Sequence, residues 1–412
     1  MPAIVDFPTV VKEALERFGP LFANEPERRH FAEYLTGLMV ADRKNVSAIN
    51  RQFAVTTDQS CLNRWLGEAG WDASRLNAER LAWLQKDPAC RYSAQGVIAI
   101  DNVLIDHDGK LIEDVGWFWD HAEGRYKVAH DYLIANYVCT SGKHYPLEFR
   151  RFVKRDQCEA RKAPFRDHNV LFRQLVDWAV ERDIPGDFAF DSWFTHADNL
   201  NHAHGKGRGY VGDLKFNRKL TFMGKQMKAA EVATLIPAAD RKRVRVGGRT
   251  QWYFTRTVRI DGVDHPVRLV ILWERYNGAE PCKALVTNRT GWEVTRALRV
   301  YRHRWTGTEC FHRDGKQNLG MGDCQLRNGR GQTRHLYLVF LAHSLLTRQL
   351  EPGRASAGRR ACQWATQRLT TIGQACRAVL AETLRQTIEW VIQRVQVDQW
   401  SCDRVKTHLA LT

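Results

Sequence analysis

From residue 1 to about 88, apolar positions recur every three to four residues, the period of helices with one buried face. VVKEALERFGPLF, RRHFAEYLTGLMV, NVSAINRQF, CLNRWLGEAG and RLNAERLAWLQ follow this period, separated by polar turns such as ANEPE and TTDQS. Near Tyr92 the pattern changes. GVIAIDNVLI (96–105), YKVAHDYLIANYVC (126–139) and YPLEFRRFV (145–153) are rich in β-branched and aromatic residues. With DHDGKLIED and DHAEGR as turns, they predict three successive antiparallel strands. HNVLFRQLVDWAVERDI (168–184) then reads as an amphipathic helix, and DFAFDSWF (187–194) as a short buried strand. Three strands, a helix and a strand predict an α/β fold built on one mixed sheet.

The second half is strand-rich before it is helical. RGYVGDLKFNRKLTF, RKRVRV, QWYFTRTVRID and VRLVILWERY fill residues 206–280, and KALVTN (283–288) returns as a strand. WEVTRALRVYRHRW leads into a helix around Glu309. TRHLYLVFLAHSLLTRQLE (333–351) reads as a long core helix, EPGRASAGRRA as a linker, and TTIGQACRAVLAETLRQTIEWVIQRV as a helical tail. The 412 residues thus divide into a helical N-terminal domain (1–88), a core (89–205 and 281–352), a strand-rich excursion (206–280) and a tail (353–412). No run of about 18 apolar residues predicts a membrane span. The N-terminus carries acids among its apolar residues and does not read as a signal peptide.

Charge changes this picture more than composition does. The net charge is +16, unevenly spread. Residues 1–90 hold 11 Lys and Arg against 12 Asp and Glu, whereas residues 205–260 hold 14 against 3 and residues 301–360 hold 11 against 4. Two basic blocks in the second half predict a polyanionic partner such as nucleic acid. Arg241, Lys242, Arg243 and Arg245 are the densest group. The 10 cysteines are scattered singly, with no zinc-type spacing, and read as reduced thiols of a cytoplasmic protein. His196, His202 and His204 cluster, but HADNLNHAHGKGRG reads as a helix end running into a glycine-rich turn rather than a metal site.

Three carboxylates stand out against this background. Asp101 interrupts the run GVIAIDNVLI, where a carboxylate is costly unless it is paired, binds metal or lies at the strand's wet edge. Asp106 and Asp108 read as residues of the following turn. Asp191 follows FAF, at the strand end where α/β sheets place their chemistry, or else caps the next helix. Glu309 lies in YRHRWTGTECFHRDGKQNLGMGDCQLR (301–327), amid Tyr301, Arg302, Arg304, Trp305 and Phe311. On an unbroken helix Trp305, Glu309, Arg313 and Lys316 share one face. A carboxylate beside phosphate-sized cations and stackable rings suits a metal held next to a nucleic-acid backbone.

Y-x-x-R followed by E-x-x-x-x-x-x-K, here Tyr301, Arg304, Glu309 and Lys316, resembles the signature helix of insertion-sequence DDE transposases. The resemblance is to the branch with a β-strand-rich insertion in an RNase H-like core, and it covers roughly residues 90–350. One spacing departs from the family: four residues, not three, separate Arg304 from Glu309. Either Thr306–Gly307 breaks the helix, or Arg304 does a different job here. The resemblance implies Asp101, Asp191 and Glu309 as a catalytic triad holding two Mg²⁺ or Mn²⁺ ions. It implies phosphate contacts from Tyr301, Arg304 and Lys316, with Arg313 on the same cation-rich helix. The implied substrate is DNA, both transposon terminal inverted repeats and target, handled by a homodimer with no membrane partner, in a bacterial cytoplasm at the nucleoid. The N-terminal helices resemble an end-binding region and present Arg43, Lys44, Arg51 and Arg64; a dimerising role is the alternative. Some members stack a flipped base on a Trp just before the strand that KALVTN resembles, where this chain has Lys283. The implied reaction is strand cleavage releasing a 3′-hydroxyl, followed by strand transfer. The alternatives are a silent transposase-derived DNA-binding protein and a nuclease that cleaves without joining.

Overall fold

The computed structural model describes residues 4–351 and 368–409. Five helices come first: α1 (Thr9–Phe18), α2 (Glu25–Val40), α3 (Val46–Asn50), α4 (Gln59–Gly67) and α5 (Ala73–Leu84). Their starts are set by polar caps. Asn24 accepts from the Glu27 N–H at 2.9 Å, and Asp58 and Asp72 cap α4 and α5 in the same way.

The first strands are β1 (Val97–Asp106), β2 (Gly116–Asp120), β3 (Arg125–Val138) and β4 (His144–Phe152). The three expected strands are present. Asp106, read as a turn residue, ends β1, and the short β2 adds a strand beside β3. After α6 (Arg155–Ala160) and α7 (His168–Glu181) come β5 (Asp187–Phe190), α8 (Ala197–Gly205) and β6 (Tyr210–Asp213). β3 lies antiparallel to β1 and β4, while β1, β5 and β6 run parallel. The order β4-β3-β1-β5-β6 is that of an RNase H-like sheet.

The strand-rich block holds β7 (Lys219–Phe222), β8 (Lys225–Lys228), α9 (Ala229–Thr234), β9 (Lys242–Val246), β10 (Arg249–Ile260), β11 (Val267–Trp273) and β12 (Lys283–Thr287). It leaves the central sheet later than the expected residue 206, because β6 pairs in parallel with β5. Nor is it detached. β12 pairs with β6 and β11, β11 pairs with β10, and the result is one 12-stranded, mostly antiparallel sheet. The free edge of β6 is thereby covered by a partner strand. Among the described residues the last elements are α10 (Val294–Gly307), α11 (Glu309–Asn318), α12 (Gly329–Gln349), α13 (Ile372–Gln396) and α14 (Cys402–His408). The expected linker lies mostly outside the described residues.

The sheet is covered on both faces, which is why β1 reads as a near-continuous apolar run. Ile98, Ile100 and Leu133 pack with Leu171, Phe172 and Leu175 of α7 on one face. On the other face Val97, Val138, Ala189 and Val211 pack under Ala297, Leu298 and Val300 of α10. Further along that face, Val103, Ile105, Tyr132 and Phe149 join the core built from the N-terminal helices, α12 and α13. The N-terminal helices are therefore part of the main packing. Among the described residues, no helix is long and apolar enough to cross a membrane.

Candidate active site

Strand parity places two of the carboxylates. Side chains two apart share a face, so Asp101 follows Val97 and Ala99 onto the α10 face of β1. Asp191 follows Asp187 and Ala189 onto the same face at the end of β5. The parallel register pairs Val97 with Asp187 and Ala99 with Ala189. Continued by two residues, it sets Asp101 beside Asp191, on strands spaced by about 4.8 Å. Asp191 is not a helix cap. Its carboxylate accepts from the Trp193 N–H at 2.9 Å in a tight turn, and the N-cap of α8 is His196.

The third carboxylate arrives through a glycine. Gly307 ends α10 directly on the sheet, where an added Cβ would lie 2.9 Å from Ala99 Cβ and from Val138 Cγ2. Thr308 then separates α10 from α11, with φ −95° and ψ −63°. Glu309 opens α11 immediately after this close approach. The helix is thus broken, one residue later than Thr306–Gly307, and Trp305 sits on α10, exposed, while Arg313 and Lys316 sit on α11.

The other two carboxylates act on Asp101. Asp101 is 7 % exposed. Burial, reinforced by the negative charges of Asp191 and Glu309, pushes its carboxyl up to about 7 against the opposing pull of Arg304. Arg304 Nη1 donates to Asp101 Oδ2 at 2.7 Å, and the Asn102 N–H donates to Oδ1 at 3.0 Å. In this structure Arg304 is paired with the Asp101 carboxylate. Buried Thr308 also faces Asp101 Oδ2, at 3.4 Å, a contact for which the sequence carried no signal beyond the extra residue before Glu309. Three oxygen-donor groups and no soft ligand form a set suited to hard divalent cations.

The other expected site residues fall into two groups. Lys242, Arg243, Arg245, Arg313 and Lys316 have exposed side chains. Lys316 borders a cleft of about 510 Å³ with Arg43, Asp106, Asp108 and Asp323, and although the side chain as a whole is exposed, partial desolvation in the cleft lowers its ammonium from the usual lysine range. Arg241, Tyr301 and Lys44 are engaged within the fold. Arg241 donates to the carbonyls of Ile236, Tyr276 and Gly278 and stacks 4.0 Å from the ring of buried Trp273. Arg241 is thus taken up by backbone carbonyls and an aromatic face, unlike its exposed neighbours on β9. Tyr301 donates to Asp213 Oδ2 at 3.1 Å, and Lys283 holds the same oxygen at 2.7 Å. Lys44 is 8 % exposed and donates to the Ala41 carbonyl. Of the histidine cluster, His202 bonds Asp177 at 2.9 Å and His204 stacks on His265.

The comparison with known families agrees with this geometry. The model of the DDE superfamily endonucleases matches residues 17–235, more than half of the chain. The chain belongs to this superfamily. A second model, the transposase DDE domain, matches residues 166–345, so the two together span all three carboxylates. No curated protein matches the chain. As a DDE transposase-type endonuclease the protein acts on DNA, and enzymes of this family use divalent metal ions.

Proposed function

We propose that this DDE endonuclease is an active transposase, cleaving DNA at the ends of an insertion sequence and transferring the released strand. One observation supports the reading above others: the buried Asp101 carboxyl, midway along β1, feels the negative charges of both Asp191, just after β5, and Glu309, at the start of α11. In this reading the three carboxylates hold two Mg²⁺ or Mn²⁺ ions. Such ions would supply Lewis-acid activation of the attacking oxygen and stabilisation of the leaving one. The chain's own part is to orient and neutralise. Arg304 balances the buried charge of Asp101. Gly307 lets α10 approach the sheet closely enough to seat Glu309. Arg313 and Lys316 on α11, with Lys242, Arg243 and Arg245 on β9, steer and hold the phosphate backbone. Residues 1–88 engage transposon ends or a second copy, the excursion after β6 extends the DNA surface, and a homodimer brings two ends together.

The test is a cleavage and joining assay on DNA carrying the flanking terminal repeats, with Mg²⁺. A released 3′-hydroxyl followed by a joined product supports transposition. Nicks without joining leave the nuclease reading, and binding without nicks leaves the silent one. Glu309→Ala should abolish nicking while end binding persists. A Glu309→Ala protein that nicks at the wild-type rate would remove the site assignment.

A further inference from the structure

A second set of metal-ligating groups lies behind the catalytic helix. His144 opens β4, Asp314 stands on α11 five residues after Glu309, and His343 lies on α12. One ligand atom from each falls within 4.8 Å of the other two. His343 is fully buried. The Nε2 atoms of both His144 and His343 are shielded from solvent and have no hydrogen-bond partner.

The tautomers follow from what the other ring nitrogens do. His144 engages the backbone at Gly142, and His343 Nδ1 lies 3.3 Å from Thr347 Oγ1. With Nδ1–H donating to these oxygens, each Nε2 carries a lone pair, the form that binds metal. In that tautomer two imidazole acceptors and the Asp314 carboxylate belong to one group of mutually close donor atoms. No hydrogen bond joins them to one another, although Asp314 has weak contacts with Asn318 at 3.4 Å and Arg313 at 3.8 Å. Buried imidazole nitrogens without partners are costly to leave unsatisfied, so the arrangement calls for an occupant.

We propose that His144, Asp314 and His343 form a structural site for a first-row transition metal, with zinc as its ion, fastening α11 to β4 and α12. Two imidazoles and one carboxylate favour zinc over magnesium, which prefers oxygen ligands throughout. Zinc bonds of about 2.0–2.2 Å require the three groups to close by less than about 1 Å. A fourth position is open to water, because Asp314 is only partly buried. The site is separate from the Asp101, Asp191 and Glu309 carboxylates, and it would fix the helix on which Glu309 is carried.

The test reads metal content and not cleavage, so its outcome is independent of the transposase reading. Full-length protein is stripped with a chelator, given Zn²⁺ alone in excess Mg²⁺, and passed over a sizing column. The expected result is one zinc per chain, a raised melting temperature, and, with Co²⁺ as probe, visible ligand-field absorption. Asp314→Asn and His144→Gln should each weaken zinc binding by more than about 100-fold, beyond the effect of losing an outer partner. Should His144→Gln fail to fold, Asp314→Asn, at a partly exposed position, carries the comparison alone, with circular dichroism as the check on folding. Glu309→Gln should retain the zinc. Failure of wild-type protein to hold stoichiometric zinc, retention of zinc by folded Asp314→Asn, or its loss from Glu309→Gln would each overturn the proposal.

Discussion

The Asp101 carboxylate has both oxygens engaged, one by Arg304 and one by the Asn102 N–H. A divalent ion that binds Asp101 must share or displace the guanidinium, so Arg304 acts as a resident counter-ion. Its removal has a pH signature. Asp101 titrates near 7 in the folded protein, above its unfolded value of 3.8. The folded state therefore holds this proton more tightly, and Asp101's contribution to stability declines as pH rises from about 4 to 7. Arg304 opposes that decline only when Asp101 is charged. In chelator, Arg304→Ala should lower stability at pH 8 by up to about 3–5 kcal/mol, the scale of breaking a buried pair. The deficit should shrink at pH 6, where the carboxyl is protonated in both proteins. Added Mg²⁺ should stabilise the variant more than the wild type. Thermal melts at the two pH values check this; an equal loss at both would assign Arg304 to packing. The sequence put Asp101 inside a strand, Asp191 at the end of another and Glu309 on a helix, and the structure carries them there. The Arg304–Asp101 bond was not legible there, because it depends on where α10 breaks, and that is decided by Gly307 meeting Ala99 and Val138 across the sheet.

At the scale of elements, α10 and the end of β1 each invite a test. Gly307 packs where a Cβ would lie 2.9 Å from two sheet side chains. Gly307→Val should destabilise by about 1–3 kcal/mol through overpacking and lift Glu309 away from Asp101, with Gly307→Ala intermediate. Denaturant titration with cleavage assays checks both; a Val variant of wild-type stability and rate would remove the close approach from the argument. Beyond β1, His130 donates from Nε2 to the Glu113 carbonyl at 2.7 Å, so its Nδ1 accepts from His107 Nε2 at 2.8 Å. Burial lowers His107 to about 4 and His130 to about 3. Both folded values lie below the unfolded value of 6.5, so the stability of this pair is present above pH 6.5 and lost as pH falls toward 3. His107→Gln should flatten the loss of melting temperature between pH 6.5 and 4, and an unchanged slope would place acid sensitivity elsewhere. Strands and helices were largely legible because their periods are local. β2 was not: GWFWD is bounded by turns already assigned, and it is a strand only because β3 runs past β4 and offers it an edge.

At the scale of the whole molecule, the excursion is joined to the core through β12, and that junction was invisible in the sequence because strand partners are chosen across long separations. Its consequence is positional. The β9–β10 hairpin turns at Gly247–Gly248, with φ of 59° and 82°, a two-glycine turn of the kind that tight hairpins require. A Cβ at Gly247 would overlap the guanidinium of Arg302 on α10, so the basic hairpin lies against the helix that leads to Glu309. Lys242, Arg243 and Arg245 project from β9 into solvent, while Arg241 is turned inward over Trp273. The four neighbouring cations should therefore separate in experiment. Replacing Lys242, Arg243 and Arg245 together with Ala should leave the melting temperature near wild type. It should also reduce the slope of log affinity for duplex DNA against log salt by up to about 3, because each phosphate contact contributes roughly 0.9 to that slope. Arg241→Ala should do the reverse. It should cost about 1 kcal/mol of stability through the lost hydrogen bonds to Ile236, Tyr276 and Gly278 and the lost stacking on Trp273, and leave the salt slope of the folded fraction unchanged. Fluorescence anisotropy at a series of salt concentrations, beside thermal melts, measures both quantities on the same proteins. An unchanged slope in the triple variant would assign β9 to solubility, and a shallower slope in Arg241→Ala would return that residue to the DNA surface.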